Sequence, residues 1–154
     1  MSKPAPTPAP TASPKETLDP LLQEFYNLRS YGEAVRQQID VVQGIITEFM
    51  LSKASLEEIK KREGKGETLI HIGAGNYVRA QLQDVKTVVV GIGAGVSIEK
   101  GLDDAISEVD QRVKQAQTQM TDLQNQYAQI AAKLDQLQGR IDQLYSQIEP
   151  AGQA

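Results

Sequence analysis

The chain has 154 residues, of which 40% are apolar, 23% charged and only 5% aromatic, with a formal net charge of −4. Two Phe, five Tyr and no Trp leave little material for a thick globular core, and the lack of Cys excludes disulfides, thiolate zinc sites and cysteine nucleophiles. A single His (His71), a mildly acidic balance and no apolar run near the roughly 20 residues of a bilayer span argue against His-relay catalysis, nucleic-acid binding and membrane insertion.

Residues 1–15 are almost entirely Pro, Ala, Thr, Ser and Lys. They offer nothing to bury, so a disordered tail is expected there, and without an apolar segment it does not read as a signal peptide. No proline falls between Leu21 and Glu149, which leaves that stretch open to long helices.

The first helix is expected over 16–63, with Asp19-Pro20 in its first turn and Gly64 and Gly66 ending it. Its apolar residues step by three and four: Leu18, Leu21, Phe25, Leu28, Gly32, Val35, Ile39, Val42, Ile46, Phe49, Lys53 and Leu56. Only Gly32 and Lys53 break the rule. A second helix over 102–149 repeats the rhythm without a miss, through Leu102, Ile106, Val109, Val113, Ala116, Met120, Leu123, Tyr127, Ile130, Leu134, Leu137, Ile141, Leu144 and Ile148. A 3.5-residue repeat sustained this long makes the narrow stripe of a coiled coil. Matched lengths joined by one insert point to an antiparallel hairpin, with Leu18 beside Ile148, Gly32 opposite Leu134 and Phe49 opposite Ala116. Parallel self-association is the competing arrangement.

Between the helices, over 64–101, the period changes to two and the composition turns β-branched. Strands are expected over 68–72, 76–82, 86–90 and 96–99. Ile-Gly-Ala-Gly occurs at 72–75 and again at 92–95, so the segment reads as two tandem hairpins with glycine-rich turns. Four short strands cannot close a barrel alone, and their open edges invite pairing with other chains. Leu69, Ile70, Ile72, Tyr77, Val78, Val88, Val89, Val90, Val96 and Ile98 are the candidate oligomerisation residues.

The expected fold class is therefore α+β: a long antiparallel two-helix coiled coil whose two central hairpins join an oligomeric β-barrel. Residues 150–154 form a flexible end. No catalytic, metal or cofactor site is expected. Gly91-x-Gly93-x-Gly95 leads into a strand rather than a phosphate-facing helix, and Lys65 lacks the rest of a P-loop. Lys60-Lys61-Arg62 reads as a solvated helix end.

Apolar residues outside the seam cluster at two places. Leu22, Tyr26, Tyr31 and Tyr145 lie near the free ends of the helices, where exposed apolar surface marks an interaction site. Val41, Ile45, Met50 and Leu51 lie toward the hairpins and are expected to pack on the sheet.

The stretch from Ile70 to Ala105 carries Ile-Gly-Ala-Gly-Asn-Tyr-Val and Val-Gly-Ile-Gly-Ala-Gly-Val-Ser-Ile-Glu-Lys. With the flanking coil helices it resembles the alpha class of prefoldin subunits, in its shorter archaeal form, over about 18–149. Four strands rather than two separate the alpha from the beta class. The resemblance implies an ATP-independent cytoplasmic co-chaperone, in which two alpha-class and four beta-class subunits build a double β-barrel with six projecting coils. It implies an alpha–alpha contact through 68–99 and handing of clients to a group II chaperonin. Non-native protein would be held at the coil ends, here by Leu18, Leu21, Leu22, Phe25, Tyr26, Leu28, Leu137, Ile141, Leu144, Tyr145 and Ile148. The alternative reading is a structural scaffold or tether that dimerises through its hairpins.

Overall fold

The structure is a computed structural model that describes residues 13–148. Residues 1–12 of the expected tail, and the expected flexible end at 150–154, lie outside the described residues. Six elements follow in order: α1 (Pro14–Lys61), β1 (Gly66–Gly73), β2 (Asn76–Leu82), β3 (Thr87–Gly93), β4 (Val96–Gly101) and α2 (Leu102–Ile148). The class is α+β, two long helices flanking two antiparallel hairpins. No helix among the described residues is long and apolar enough to cross a membrane.

The start of α1 differs from the sequence expectation. Asp19-Pro20 does not open the helix; Ser13 caps it and Pro14 occupies the first helical position. The Ser13 N–H donates to Glu16 Oε2 at 2.9 Å, and the Glu16 N–H donates to Ser13 Oγ at 3.4 Å. This reciprocal box satisfies two backbone donors that the helix itself cannot pair. The Ser13 backbone N–H, then its hydroxyl, holds the Glu16 carboxyl below its ordinary pKa. Pro20 consequently lies inside α1. There it removes one helical donor, and the neighbouring Leu18 and Leu21 hold the turn by burial.

The chain divides into two compact units. Among the described residues, the first comprises 13–38 and 123–148. Toward the helix ends its core holds the buried quartet Leu18, Leu21, Leu137 and Ile141, with Leu22, Phe25, Leu28, Leu144 and Ile148 packed around it, and Val35 and Ile130 are buried further along the seam. Leu18 and Ile148, expected side by side, belong to this one cluster together with Leu137 and Ile141. Gly32 departs from its expected pairing. A Cβ there would sit 3.1 Å from Ile130 Cγ2, one turn from the expected Leu134. Glycine lets the helices approach closely at this point, which accounts for its place in an otherwise apolar seam. Lys133 pairs with Glu24 at 2.9 Å, and Gln126 donates to the Tyr31 hydroxyl.

The second unit, residues 39–122, holds the hairpins. β1 pairs with β2 and β3 with β4, as two separate two-stranded sheets. Both hairpins turn on Ala-Gly, with φ of 49° and 76° at Ala74-Gly75 and 51° and 75° at Ala94-Gly95. Two successive positive φ values make the turn whose twist matches the strands it joins. Where the hairpins join the coil, the core cluster is Leu56, Ala105 and Val109, against which Phe49, Val88, Val90, Leu102 and Ile106 pack. Phe49, expected opposite Ala116, belongs to this cluster.

Lys53, the second break in the seam, has a partner. Its ammonium lies 2.5 Å from Asp110 Oδ1, and Lys114 reaches Asp110 Oδ2 at 2.7 Å. Both members of the cross-helix pair are part-shielded, with side-chain exposures of 33% and 29%. A polar seam position that finds its partner in only one alignment fixes register and orientation. The Lys114 and Lys53 hydrogen bonds hold the Asp110 carboxyl at about 2, down from 3.8. The folded value lies below the unfolded one, so the associated stability is full above pH 4 and is lost as pH falls toward 2. We expect the thermal-stability difference between the native chain and Asp110→Asn to be positive at neutral pH. It should shrink to nothing between about pH 4 and 2 in melts followed by circular dichroism.

Candidate functional site

Two surfaces carry what the sequence singled out. In the first unit, the residues near the helix ends divide by exposure. Leu18, Leu21, Leu137 and Ile141 are buried in the seam; Leu22, Phe25, Leu28, Leu144 and Ile148 are half-buried around them; Tyr26 and Tyr145 are exposed, at 59% and 46%. Tyr26 packs edge-on against Phe25, with ring centroids 5.9 Å apart. This coil end is therefore a closed apolar quartet with a looser apolar collar and two tyrosines directed at solvent. Such a collar offers weak, non-directional contact area and no chemistry.

In the second unit, strand register sorts the hairpin residues onto faces. Ile70 lies opposite Val78 in hairpin 1 (β1–β2), and Ile72 follows two residues on, so these three share one face. Leu69, His71, Tyr77 and Arg79 share the other; the His71 and Tyr77 rings lie 5.1 Å apart. Leu69, Ile70, Ile72, Tyr77 and Val78 are all exposed. In hairpin 2 (β3–β4), Val88, Val90, Ile98 and Lys100 share a face. Val88 and Val90 are half-buried against the Leu56–Ala105–Val109 cluster, whereas Val89, Val96 and Ile98 are exposed. Val88 and Val90 are thus engaged with their own coil, and the open apolar surface belongs mainly to hairpin 1 and to the outer part of hairpin 2.

The residues Val41, Ile45, Met50 and Leu51 do not pack on the sheet, contrary to the sequence expectation. They remain exposed, Leu51 at 69%. The hairpins meet the coil at Leu56 and Ala105, and Val41 lies about 22 Å up the helix from Leu56 at 1.5 Å per residue.

Hydropathy could not reveal a polar set that joins hairpin 2 to α2. Arg112 donates through Nη1 to the Gly91 carbonyl at 2.9 Å and through Nη2 to Glu108, and Glu108 also accepts from Lys100. The Lys100 hydrogen bond, with both cations, holds the Glu108 carboxyl below its usual range. Charge patterning hinted at only one part of it, the four-residue spacing of Glu108 and Arg112.

With this geometry in place, comparison with known proteins is decisive. The prefoldin subunit family model matches residues 28–147, which take in both hairpins and most of both helices. The chain belongs to the prefoldin family, in its alpha class. Prefoldin subunit alpha 1 of Thermococcus kodakarensis is 31% identical over 104 residues, covering 68% of this chain and 71% of its own. Prefoldin subunit alpha of Thermococcus onnurineus is 35% identical over 105 residues, with the same two shares. In three dimensions the chain resembles a subunit of the filamentous PFD of Methanocaldococcus jannaschii, solved by cryo-EM. That match has a TM-score of 0.64 and 21% identity over 76% of this chain and 97% of the other. The prefoldin role is that of a protein-folding chaperone, and prefoldin subunits act in oligomeric complexes with one another. The exposed hairpin faces fit membership of such a complex, since apolar strands of this kind need cover from another chain.

Proposed function

We propose that this prefoldin alpha subunit holds non-native proteins at its coil ends without ATP and delivers them to a group II chaperonin. Two copies would join four beta-class subunits, their hairpins merging into a double β-barrel in the cytoplasm. The observation that carries the holding role is the apolar collar of the first unit, with Tyr26 and Tyr145 exposed beside half-buried Leu22, Phe25, Leu28, Leu144 and Ile148. Leu18, Leu21, Leu137 and Ile141 serve as the floor beneath that collar and come into contact with a client as the end frays. Burial scales with area rather than shape, which suits a client with no fixed conformation. Several coil ends acting on one chain add avidity, while each contact stays weak enough to release.

Hairpin residues Leu69, Ile70, Ile72, Tyr77, Val78, Val89, Val96 and Ile98 would supply subunit contacts, and Val88 and Val90 would act through the seating of hairpin 2. A chain trimmed before Phe25 and after Leu137 tests the holding role. We expect its complexes to keep their subunit composition and lose severalfold in suppressing light scattering by a heat-denatured model protein. Undiminished suppression by an intact complex would refute the coil-end role.

A further inference from the structure

The two hairpins share the Ile-Gly-Ala-Gly turn yet are held differently. Among the described residues, the side-chain ion pair of hairpin 1 stays within it, Arg79 to Glu67 at 2.6 Å. Hairpin 2 is tied to α2 from both of its strands. Arg112 grips the Gly91 carbonyl of β3 at 2.9 Å, and Lys100 of β4 grips Glu108, which Arg112 also holds. Glu108 is the most shielded carboxylate among the ion pairs of the described residues, at 19% exposure, with Arg112 at 27% and Lys100 at 29%. The valines Val88 and Val90 seat the same hairpin on the coil cluster from its apolar face.

We propose that Arg112 is a positioning residue: through Glu108 and the Gly91 carbonyl it clasps hairpin 2 to α2 at a set angle, leaving hairpin 1 as the arm that adjusts to neighbouring subunits. The fork of the guanidinium is essential, because it bonds a carbonyl and a carboxylate at once in fixed geometry. A lysine offers a point charge and satisfies one of them. Glu108 acts through Arg112 and Lys100 and orients both. Part-shielded charges hold this geometry against salt better than the exposed pairs elsewhere on the surface. The functional half of the proposal rests on the reading that the hairpins are the assembly surface.

Backbone amide exchange on the full chain alone, followed by mixing with a beta-class prefoldin subunit, tests both halves. In Arg112→Gln, exchange across Val90–Ser97 should rise about tenfold while protection in β1 and β2 is unchanged. Co-assembly should slow by about tenfold, since fewer encounters present hairpin 2 correctly. Glu108→Gln should move both readouts in the same direction, Arg112→Lys should not restore them, and Arg79→Gln should leave exchange across Val90–Ser97 unchanged. Unchanged exchange in hairpin 2 overturns the proposal, as does a uniform rise throughout the second unit, which would mark a merely structural role. Loosened exchange with assembly at the native rate overturns the functional half. The exchange result does not depend on assembly, so failure of the assembly reading would appear separately, as complexes that survive charges on hairpin 1.

Discussion

Ile70→Lys combined with Val78→Lys will prevent this chain from entering complexes with other prefoldin subunits while leaving its coil helical. The two residues lie directly opposite one another in hairpin 1, and Ile72 extends the same face. Their exposures are 50%, 47% and 65%, so much of their apolar area is free to be covered by another chain. Covering what remains of each is worth about 1 kcal/mol at ordinary transfer coefficients, and a desolvated ammonium on such a face costs several more. The combined effect is at least a hundredfold loss of association, about 2.7 kcal/mol or more. Sedimentation velocity gives the mass of the complex, and far-ultraviolet circular dichroism reports the helices. Complexes of unchanged mass would show that hairpin 1 is not an assembly surface. Val88 and Val90 make a poorer test, because charges there would first unseat hairpin 2 from Leu56, Ala105 and Val109.

Gly64→Ala is expected to lower stability by roughly 3 kcal/mol, combining an unfavourable left-handed residue with forced overpacking. Gly64 has φ +69° and is buried. An added Cβ would lie 2.4 Å from the Val85 carbonyl oxygen and 2.5 Å from its nitrogen. Backbone cannot rotate away as a side chain can. The Gly64 carbonyl accepts the Val85 N–H at 3.0 Å, and its own N–H donates to Ile59 O at 2.9 Å. Gly64 therefore ends α1 and pins the neck from which hairpin 1 leaves and to which it returns. Thermal denaturation should show a drop of several degrees in Tm, with exchange rising first around residues 62–66 and 83–86. A variant as stable as the native chain would mean that the neck yields without cost.

The heptad rhythm exposed both helices and their seam, because a coil buries one stripe and the spacing of apolar residues repeats that stripe directly. The repeated Ile-Gly-Ala-Gly exposed both hairpins for a similar reason: positive φ at a two-residue turn strongly restricts composition. Helix ends were less legible. Ser13, inside a segment whose composition reads as tail, caps α1 through two local hydrogen bonds with Glu16, and Pro20 looked like a first-turn residue although the helix begins six residues before it. The tyrosines at the coil end could be placed off the seam by counting alone. Their degree of exposure, and the burial of Leu18 and Ile141 beneath them, required the second helix to be in position.

By itself, the sequence determined the element types, the heptad seams, the paired hairpins and the family, since periodicity and turn chemistry are local properties of the chain. The packed helices decided for antiparallel pairing within the chain over parallel self-association. Tertiary structure decided the partner of each exception. Gly32 meets Ile130, Lys53 meets Asp110, and Arg112 reaches back to Gly91. It also decided which apolar residues stay open, with Val88 and Val90 turned to the coil and Ile70, Ile72 and Val78 left exposed. The physical reason is that burial and ion pairing are relations between segments far apart in sequence. Hydropathy counts how many residues need cover, and only the packed chain assigns which of them receive it from within.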